Sequence, residues 1–228
     1  MKAKIISCAA AAAALMLPVA AQAGSQDGKL QIKILGTAVL PDGAIDKVEK
    51  TSLTLPAGTD TKASDNVVPT VAIEYFLTPS VSLETICCTT AHHVDGAGAI
   101  AGVNHLINKA LIVPATLTLK YHLTGLGAIK PYLGVGPSYF LVLDSKVGAG
   151  GRTALGAASA DLKSKLGFAL QAGADIPLGD SGLGLTLDAK RYFVKPIATF
   201  SNAAGTEILR TRHNLDPWVL SAGLAYRF

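Results

Sequence analysis

Beyond residue 23 this chain contains no uninterrupted stretch of about 20 apolar residues, the length a membrane-crossing helix needs. Its apolar residues instead alternate with polar or small ones in segments of about ten, cut by Gly, Pro, Asp and Ser. A bundle of membrane helices is thereby excluded, and strands are required. In residues 113–123, Val113, Ala115, Leu117, Leu119, Tyr121 and Leu123 share one face, with Thr116, Thr118, Lys120 and His122 on the other. The C-terminus repeats the pattern, with Trp218, Leu220, Ala222, Leu224, Tyr226 and Phe228 opposing Ser221, Gly223, Ala225 and Arg227. Eight such strands are predicted, at 29–40, 67–77, 80–91, 112–123, 129–142, 163–176, 183–194 and 217–228. The third is the least regular: a Val81, Leu83, Thr85, Cys87 face competes with a Ser82, Glu84, Ile86, Cys88 face.

The connections alternate in length. Thr78-Pro79, 124–128 and 177–182 are short, whereas 41–66, 92–111, 143–162 and 195–216 are long. An even-stranded antiparallel barrel with both chain ends at one rim produces this order, and in an outer membrane that rim is periplasmic and the long loops are extracellular. A strand of about 12 residues, rising about 3.3 Å each and tilted near 40°, spans on the order of 30 Å, enough for the apolar band. The expected fold is therefore all-β: an eight-stranded antiparallel transmembrane β-barrel of the outer membrane of a Gram-negative bacterium.

Residues 1–23 are read as a signal peptide. Lys2 and Lys4 precede an apolar stretch from Ile5 to Leu17, Pro18 ends it, and Ala21-Gln22-Ala23 fits a small-x-small cleavage site. Removing those 23 residues from 228 leaves 205, a single barrel over 24–228. The leader carries two lysines and no acid, so the formal charge falls from +4 to +2. No basic stripe remains, and no nucleic-acid partner is expected. The 50% hydrophobic content divides between the leader and one face of each strand. Cys87 and Cys88, adjacent in a strand, point to opposite faces and are read as small apolar fillers rather than as a disulfide. His92-His93 and His105 are read as loop residues without metal-ligand spacing, so neither metal nor cofactor is expected.

Charge placement separates a membrane barrel from a soluble one. The presumed inner face carries few charges, Lys33, Glu74, Glu84, Lys120, Lys130, Asp175, Asp188, Lys190 and Arg227, set among Gly, Ser and Thr, with His122 beside them. A narrow eight-strand barrel is filled by its inner side chains, and buried charges there need opposite partners, so these residues are the expected lumen network. Lipid permits an apolar outer face, and closure satisfies the backbone edges. Tyr75, Tyr121, Tyr139, Phe193, Trp218, Tyr226 and Phe228 cluster near strand ends as expected membrane-interface aromatics. Periodicity alone leaves room for an exported soluble sandwich.

Leu215-Asp216-Pro217-Trp218-Val219 followed by Gly223-Leu224-Ala225-Tyr226-Arg227-Phe228 resembles the ending of the OmpW family of eight-stranded outer-membrane barrels. So do Leu117-Thr118-Leu119-Lys120-Tyr121-His122-Leu123, Lys130-Pro131-Tyr132-Leu133-Gly134-Val135-Gly136-Pro137-Ser138-Tyr139 and Asp188-Ala189-Lys190-Arg191-Tyr192. The resemblance spans nearly the whole of 24–228, with departures at Leu123, at Cys87-Cys88 and in the first long loop. It implies a narrow barrel that passes small hydrophobic molecules, often with a lateral exit into the membrane. It also implies that Tyr226 and Phe228 form the signal read by the outer-membrane assembly machinery.

Leu53, Leu55, Val103, Leu106 and Ile107, apolar residues of the long loops, are the candidates to capture cargo, with the charged lumen closing the way straight through. Expected partners are outer-membrane lipid and lipopolysaccharide, the assembly machinery and small apolar solutes, acting on a monomer. No enzyme is expected, and no catalytic residue is assigned. No G-x-S-x-G, H-E-x-x-H or P-loop occurs, Gly148-Ala149-Gly150-Gly151-Arg152 reads as a flexible loop, and inward-facing His122 and Ser138 on adjacent strands read as a chance pairing. The alternative function is a non-transporting barrel with a structural or adhesin- or receptor-like surface role.

Overall fold

The computed structural model describes residues 24–127 and 129–228. The expected leader at 1–23 lies outside the described residues. The strands are β1 (Leu30–Leu40), β2 (Ala44–Thr51), β3 (Thr59–Ala63), β4 (Asn66–Thr78), β5 (Val81–Cys87), β6 (Thr90–Gly98), β7 (Ile107–His122), β8 (Lys130–Val147), β9 (Ser159–Leu162), β10 (Lys165–Pro177), β11 (Leu183–Phe193), β12 (Ile197–Ser201), β13 (Glu207–Asn214) and β14 (Trp218–Arg227), with one short helix, α1 (Ala149–Leu155), after β8.

Eight of these strands close into an antiparallel ring in the order β1, β4, β5, β7, β8, β10, β11, β14. The seam between the chain ends runs from Gln31↔Arg227 to Leu40↔Trp218. All eight predicted strands are present, because parity of apolar residues is what a lipid-facing barrel wall demands. Ile34, Val67, Leu117, Leu119, Leu133, Leu166, Leu187 and Leu224 are exposed on the outside, whereas Lys33, Thr118, Lys120 and Lys190 on the opposite parity are buried inside. Strand 3 resolves its competing faces in favour of Ser82, Glu84, Ile86 and Cys88 inward.

The long connections differ from expectation. Segment 80–91 is divided into β5 and β6, β7 starts at Ile107, and β8 continues to Val147. His92 and His93 therefore lie on β6 and not in a loop, whereas His105 does occupy the connection to β7. β3 adds to β6, and β2, β13, β12 and β9 form a separate four-stranded sheet beyond the barrel's loop end. Apolar alternation did not reveal this sheet: its strands are short, and although Ala198, Phe200 and Leu209 are buried on one face, β2 carries no apolar stripe. Partly exposed ion pairs, Lys195–Asp46 at 3.0 Å and Arg212–Glu49, add to its backbone ladders.

Gly148–Arg152 is not a flexible loop: Gly148 is the N-cap of α1 and Ala149–Arg152 its first turn, and the helix ends at Gly156 with φ 66°. Gly150 and Gly151 sit where a Cβ would meet the carbonyl oxygens of Asn104 and Leu106 at 2.2 and 2.5 Å. Their role is close approach to the β6–β7 connection, which outweighs the poor helix propensity of glycine.

Candidate functional site

The barrel interior is sorted by polarity along its axis. At the end carrying the short turns and both chain termini, Arg227 stacks on Phe76 at 3.6 Å and donates from Nε to the Gly28 carbonyl at 2.5 Å. The next layer is an ion cluster fed from six strands. Lys33 Nζ lies 2.7 Å from Glu74, 2.8 Å from Glu84 and 3.6 Å from Asp175. Lys120 reaches Glu74 at 2.8 Å and Glu84 at 3.0 Å. Lys190 reaches Glu84 at 3.0 Å and Asp188 at 2.7 Å. Each buried charge thus meets an opposite charge, as a region closed to water requires.

Three residues absent from the expected network complete it. Gln171 donates to Glu84 at 2.9 Å and to Asp188 at 2.6 Å, and accepts from Thr118 at 2.8 Å. Tyr132 donates to Asp188 at 2.8 Å, and its ring lies 3.6 Å under the Lys120 ammonium. Ser82 donates to Glu74. Tyr132 shares the strand parity of Lys130, and Gln171 that of Asp175, so parity was the available signal. Lys130 itself stands opposite Asp175 in the β8–β10 register and forms no ion pair among the described residues; it lines the turn-end mouth with Asp27, His122 and Arg227.

His122 and Ser138 are not brought together. His122 Nε2 meets both Glu74 at 2.8 Å and Ser82 at 2.9 Å, while Ser138 bonds to Thr116 at 2.9 Å. Glutamate and serine contact the same imidazole nitrogen, which is not the relay in which a carboxylate orients the far nitrogen of a general base.

Above the ions come hydroxyl pairs, Thr37 with Ser221 at 2.8 Å and Thr116 with Ser138. Above these the lumen turns apolar: Val39, Ile86, Ile112, Phe140, Tyr192, Leu215 and Val219 are buried together, with Phe140 and Tyr192 edge to face at 5.2 Å. Leu215 of this layer also lines an apolar cavity of about 260 Å³ under the four-stranded sheet. All five capture candidates line that cavity: Leu53, Leu55 and Val103 half-buried at its mouth, Leu106 and Ile107 buried in its wall. Ala198, Phe200 and Leu209 from β12 and β13 form the opposite wall, which loop-based reading could not supply.

One polar latch borders the cavity. Gly43 carbonyl oxygen accepts from His213 Nδ1 at 3.1 Å and from the Thr61 hydroxyl at 2.7 Å. His213 Nδ1 is therefore protonated, and Nε2 is left to accept from Thr211 at 2.7 Å. Burial pushes the His213 imidazole below its ordinary value of 6.5, against the opposing pull of Gly43 and Asp60, so the ring is held neutral.

The outward aromatics form two belts. Tyr75, Tyr121, Tyr226 and Phe228 lie toward the short turns, and Tyr139, Phe193 and Trp218 toward the cavity end. Trp218 and Tyr226, eight residues apart on β14, bracket a band on the order of 20 Å tall at about 3.3 Å per residue and a tilt near 40°. Phe168, outside the expected set, stacks on Phe193 at 4.7 Å.

Comparison with known proteins places this architecture. The sequence profile described as the OmpW family matches residues 26–228. An uncharacterized outer-membrane protein of Sinorhizobium fredii, y4mB, is 33% identical over 99% of this chain and 93% of its own length. Outer membrane protein W of Vibrio cholerae is 26% identical over the full length of both chains. Dibenzothiophene metabolism operon protein PahQ of Pseudomonas aeruginosa is 28% identical over 75% of this chain and 76% of its own. Among solved structures, outer membrane protein OprG of Pseudomonas aeruginosa superposes with a TM-score of 0.76 at 22% identity, covering 90% of this chain and 98% of that one. Outer membrane protein AlkL, determined in lipid bilayers, superposes with a TM-score of 0.69 at 24% identity, covering 92% and 94%.

Proposed function

The chain belongs to the OmpW family, and from that premise we propose that it takes small apolar molecules from outside the cell into the outer membrane by passive passage through its loop-end cavity. The observation that carries this reading is one of position: an apolar cavity of about 260 Å³ lies at the loop end of a barrel whose lumen nearer the short turns is filled by paired charges. A hydrocarbon gains by entering the first and would have to displace ion pairs to cross the second. Burial of on the order of 150 Å² of apolar surface, at about 25 cal/mol per Å², is worth about 4 kcal/mol. That corresponds to roughly millimolar affinity, weak enough to release what is captured.

With the lower lumen closed, the exit is lateral. The β5–β7 register ends at Ile86↔Thr116 and the β6–β7 register resumes at Thr90↔Ile112, and Pro114 between them has no N–H to donate. A separate void of about 20 Å³, lined by Ile86, Ile112, Pro114, Phe140 and Tyr192, lies beside this seam and shares Leu215 with the wall of the large cavity. The name of the relative from a dibenzothiophene operon supports an apolar, hydrocarbon-like cargo. The closed ring offers no strand edge to a neighbour, which supports a monomer in contact with lipid and lipopolysaccharide, and the Tyr226–Phe228 ending is the segment for the assembly machinery.

The filled lumen and projecting sheet also fit a non-transporting surface barrel. A deletion strain separates the two: slower uptake of a small alkane, restored by complementation, is expected of a conduit, and unchanged uptake selects the surface role. In liposomes, equal passage of a polar sugar and an alkane would reject apolar selectivity.

A further inference from the structure

We propose that His93, Asp95 and His105 form a binding site for a divalent transition-metal ion of the Zn²⁺ class at the extracellular rim. His93 and Asp95 are two residues apart on β6, so both side chains leave the same face of the strand. Val94 between them turns the other way and lines the apolar cavity. The connection after β6 brings His105 alongside, its ring centroid 5.1 Å from that of His93. A ligand atom from each of the three residues lies within 4.8 Å of the other two. Tetrahedral ligands at about 2.0–2.1 Å from zinc stand about 3.3 Å apart, so these side chains need to close by about 1.5 Å at most.

His105 is held in place by its backbone. Its φ of 54° lies in the left-handed region that non-glycine residues seldom adopt. Its N–H donates to Asp95 Oδ1 at 2.6 Å, and its carbonyl accepts from Gly151 of α1 at 3.4 Å. Asp95 thereby uses one oxygen to fix the loop and turns the other, Oδ2, toward His93 Nε2 at 3.4 Å. All three groups are reachable from water: His93 and Asp95 are half-buried and His105 is exposed.

The remaining imidazoles are committed inside the fold: His92 to Thr90 and Ser64, His122 to Glu74 and Ser82, and His213 to Thr61, Thr211 and Gly43. Two imidazoles with one carboxylate suit Zn²⁺, Cu²⁺ or Ni²⁺ and not the oxygen-seeking Ca²⁺ or Mg²⁺. Three protein ligands leave a coordination position for water. Lys62, opposite Asp95 in the β3–β6 register, is exposed and keeps its ammonium in solvent. A bound ion would clip β6 to the start of β7, and so stiffen the cavity wall made by Val94, Val103, Leu106 and Ile107. The site stands whatever the cavity takes up.

Zinc chloride titrated into the tag-free, micelle-folded protein should show one saturable site by calorimetry. His93→Ala and His105→Ala should each weaken it by about tenfold or more, with barrel circular dichroism and heat-dependent gel mobility unchanged. In the wild-type protein Zn²⁺ should also slow hydrogen exchange across residues 94–107, and it should not do so in either variant. No saturable zinc binding, an unchanged affinity in folded His105→Ala, or equally tight binding of Ca²⁺ would each overturn the proposal.

Discussion

Glu84 and Lys190 meet at 3.0 Å across the full width of the barrel. Their strands, β5 and β11, are four places apart in the ring in either direction, so the contact is diametric. Two long side chains converging at the axis leave no open bore at that height, and Lys33 and Lys120 share the same Glu84 carboxylate.

Glu84→Gln keeps the shape and removes the charge on which three lysines converge. Lys33 and Lys120 retain Glu74, and Lys190 retains Asp188, so the network is weakened and not abolished. Loss of a buried charge partner costs about 3 kcal/mol, and the denaturant midpoint of the protein folded in lipid vesicles should fall accordingly. An unmoved midpoint would mean that water already reaches the lysines and that the lumen is open.

The capture reading makes a separable demand on Leu53 and Leu55. Both are half-buried at the cavity mouth and belong to no strand of the barrel wall. Changing both to Ser removes about 1 kcal/mol of apolar burial each from a bound solute. Alkane uptake by complemented cells should drop by about 30-fold, with the unfolding free energy changed by about 1 kcal/mol or less. Full uptake by the double variant would detach the cavity from transport.

The barrel wall was legible in the sequence because each of its strands has two different solvents. Leu117, Leu119 and Tyr121 read as one face and Thr118, Lys120 and His122 as the other, and that parity survives in the structure. The third predicted strand blurred the rule, because Ile86 and Cys88 are inward yet apolar: they belong to the buried apolar layer and not to the ion layer. Which charges pair was not legible, since Glu84 and Lys190 are 106 residues apart and meet only through closure. The outer sheet escaped for a related reason. Val48 and Lys50 on β2 face water on a strand with no apolar stripe, and its register with β13 is broken by two bulges.

His213 makes the cavity sensitive to acid. Burial lowers its folded-state pKa, so the unfolded chain, titrating near 6.5, binds the proton more readily. Stability is therefore complete above about 6.5, falls as pH drops through the window between the unfolded and folded values, and levels off below both. Protonating Nε2 also turns the acceptor of the Thr211 hydroxyl into a donor. Hydrogen exchange in residues 44–51 and 207–214, corrected for the intrinsic slowing of amide exchange in acid, should accelerate as pH falls from about 6.5 to about 5, and His213→Gln should flatten that dependence. An equal acceleration in the variant would assign the effect elsewhere, His92 being the next buried imidazole at this end.

Gly151→Ala sets two effects against each other in α1. Alanine is the better helix former by about 1 kcal/mol, and propensity alone predicts a firmer helix. The added Cβ, however, would stand 2.5 Å from the Leu106 carbonyl oxygen and 2.7 Å from Val147 Cγ2. A backbone oxygen cannot swing aside as a flexible side-chain tip can, and overpacking of this kind costs about 1–3 kcal/mol. Steric cost should win by about 1 kcal/mol, with α1 displaced from the β6–β7 connection. Amide exchange in α1 and around Val103 and Leu106 should quicken, while Arg152→Ala on the exposed side of the helix should leave it nearly unchanged. Slower exchange in Gly151→Ala would show that α1 shifts without cost, and that the cavity wall it braces is not tightly packed.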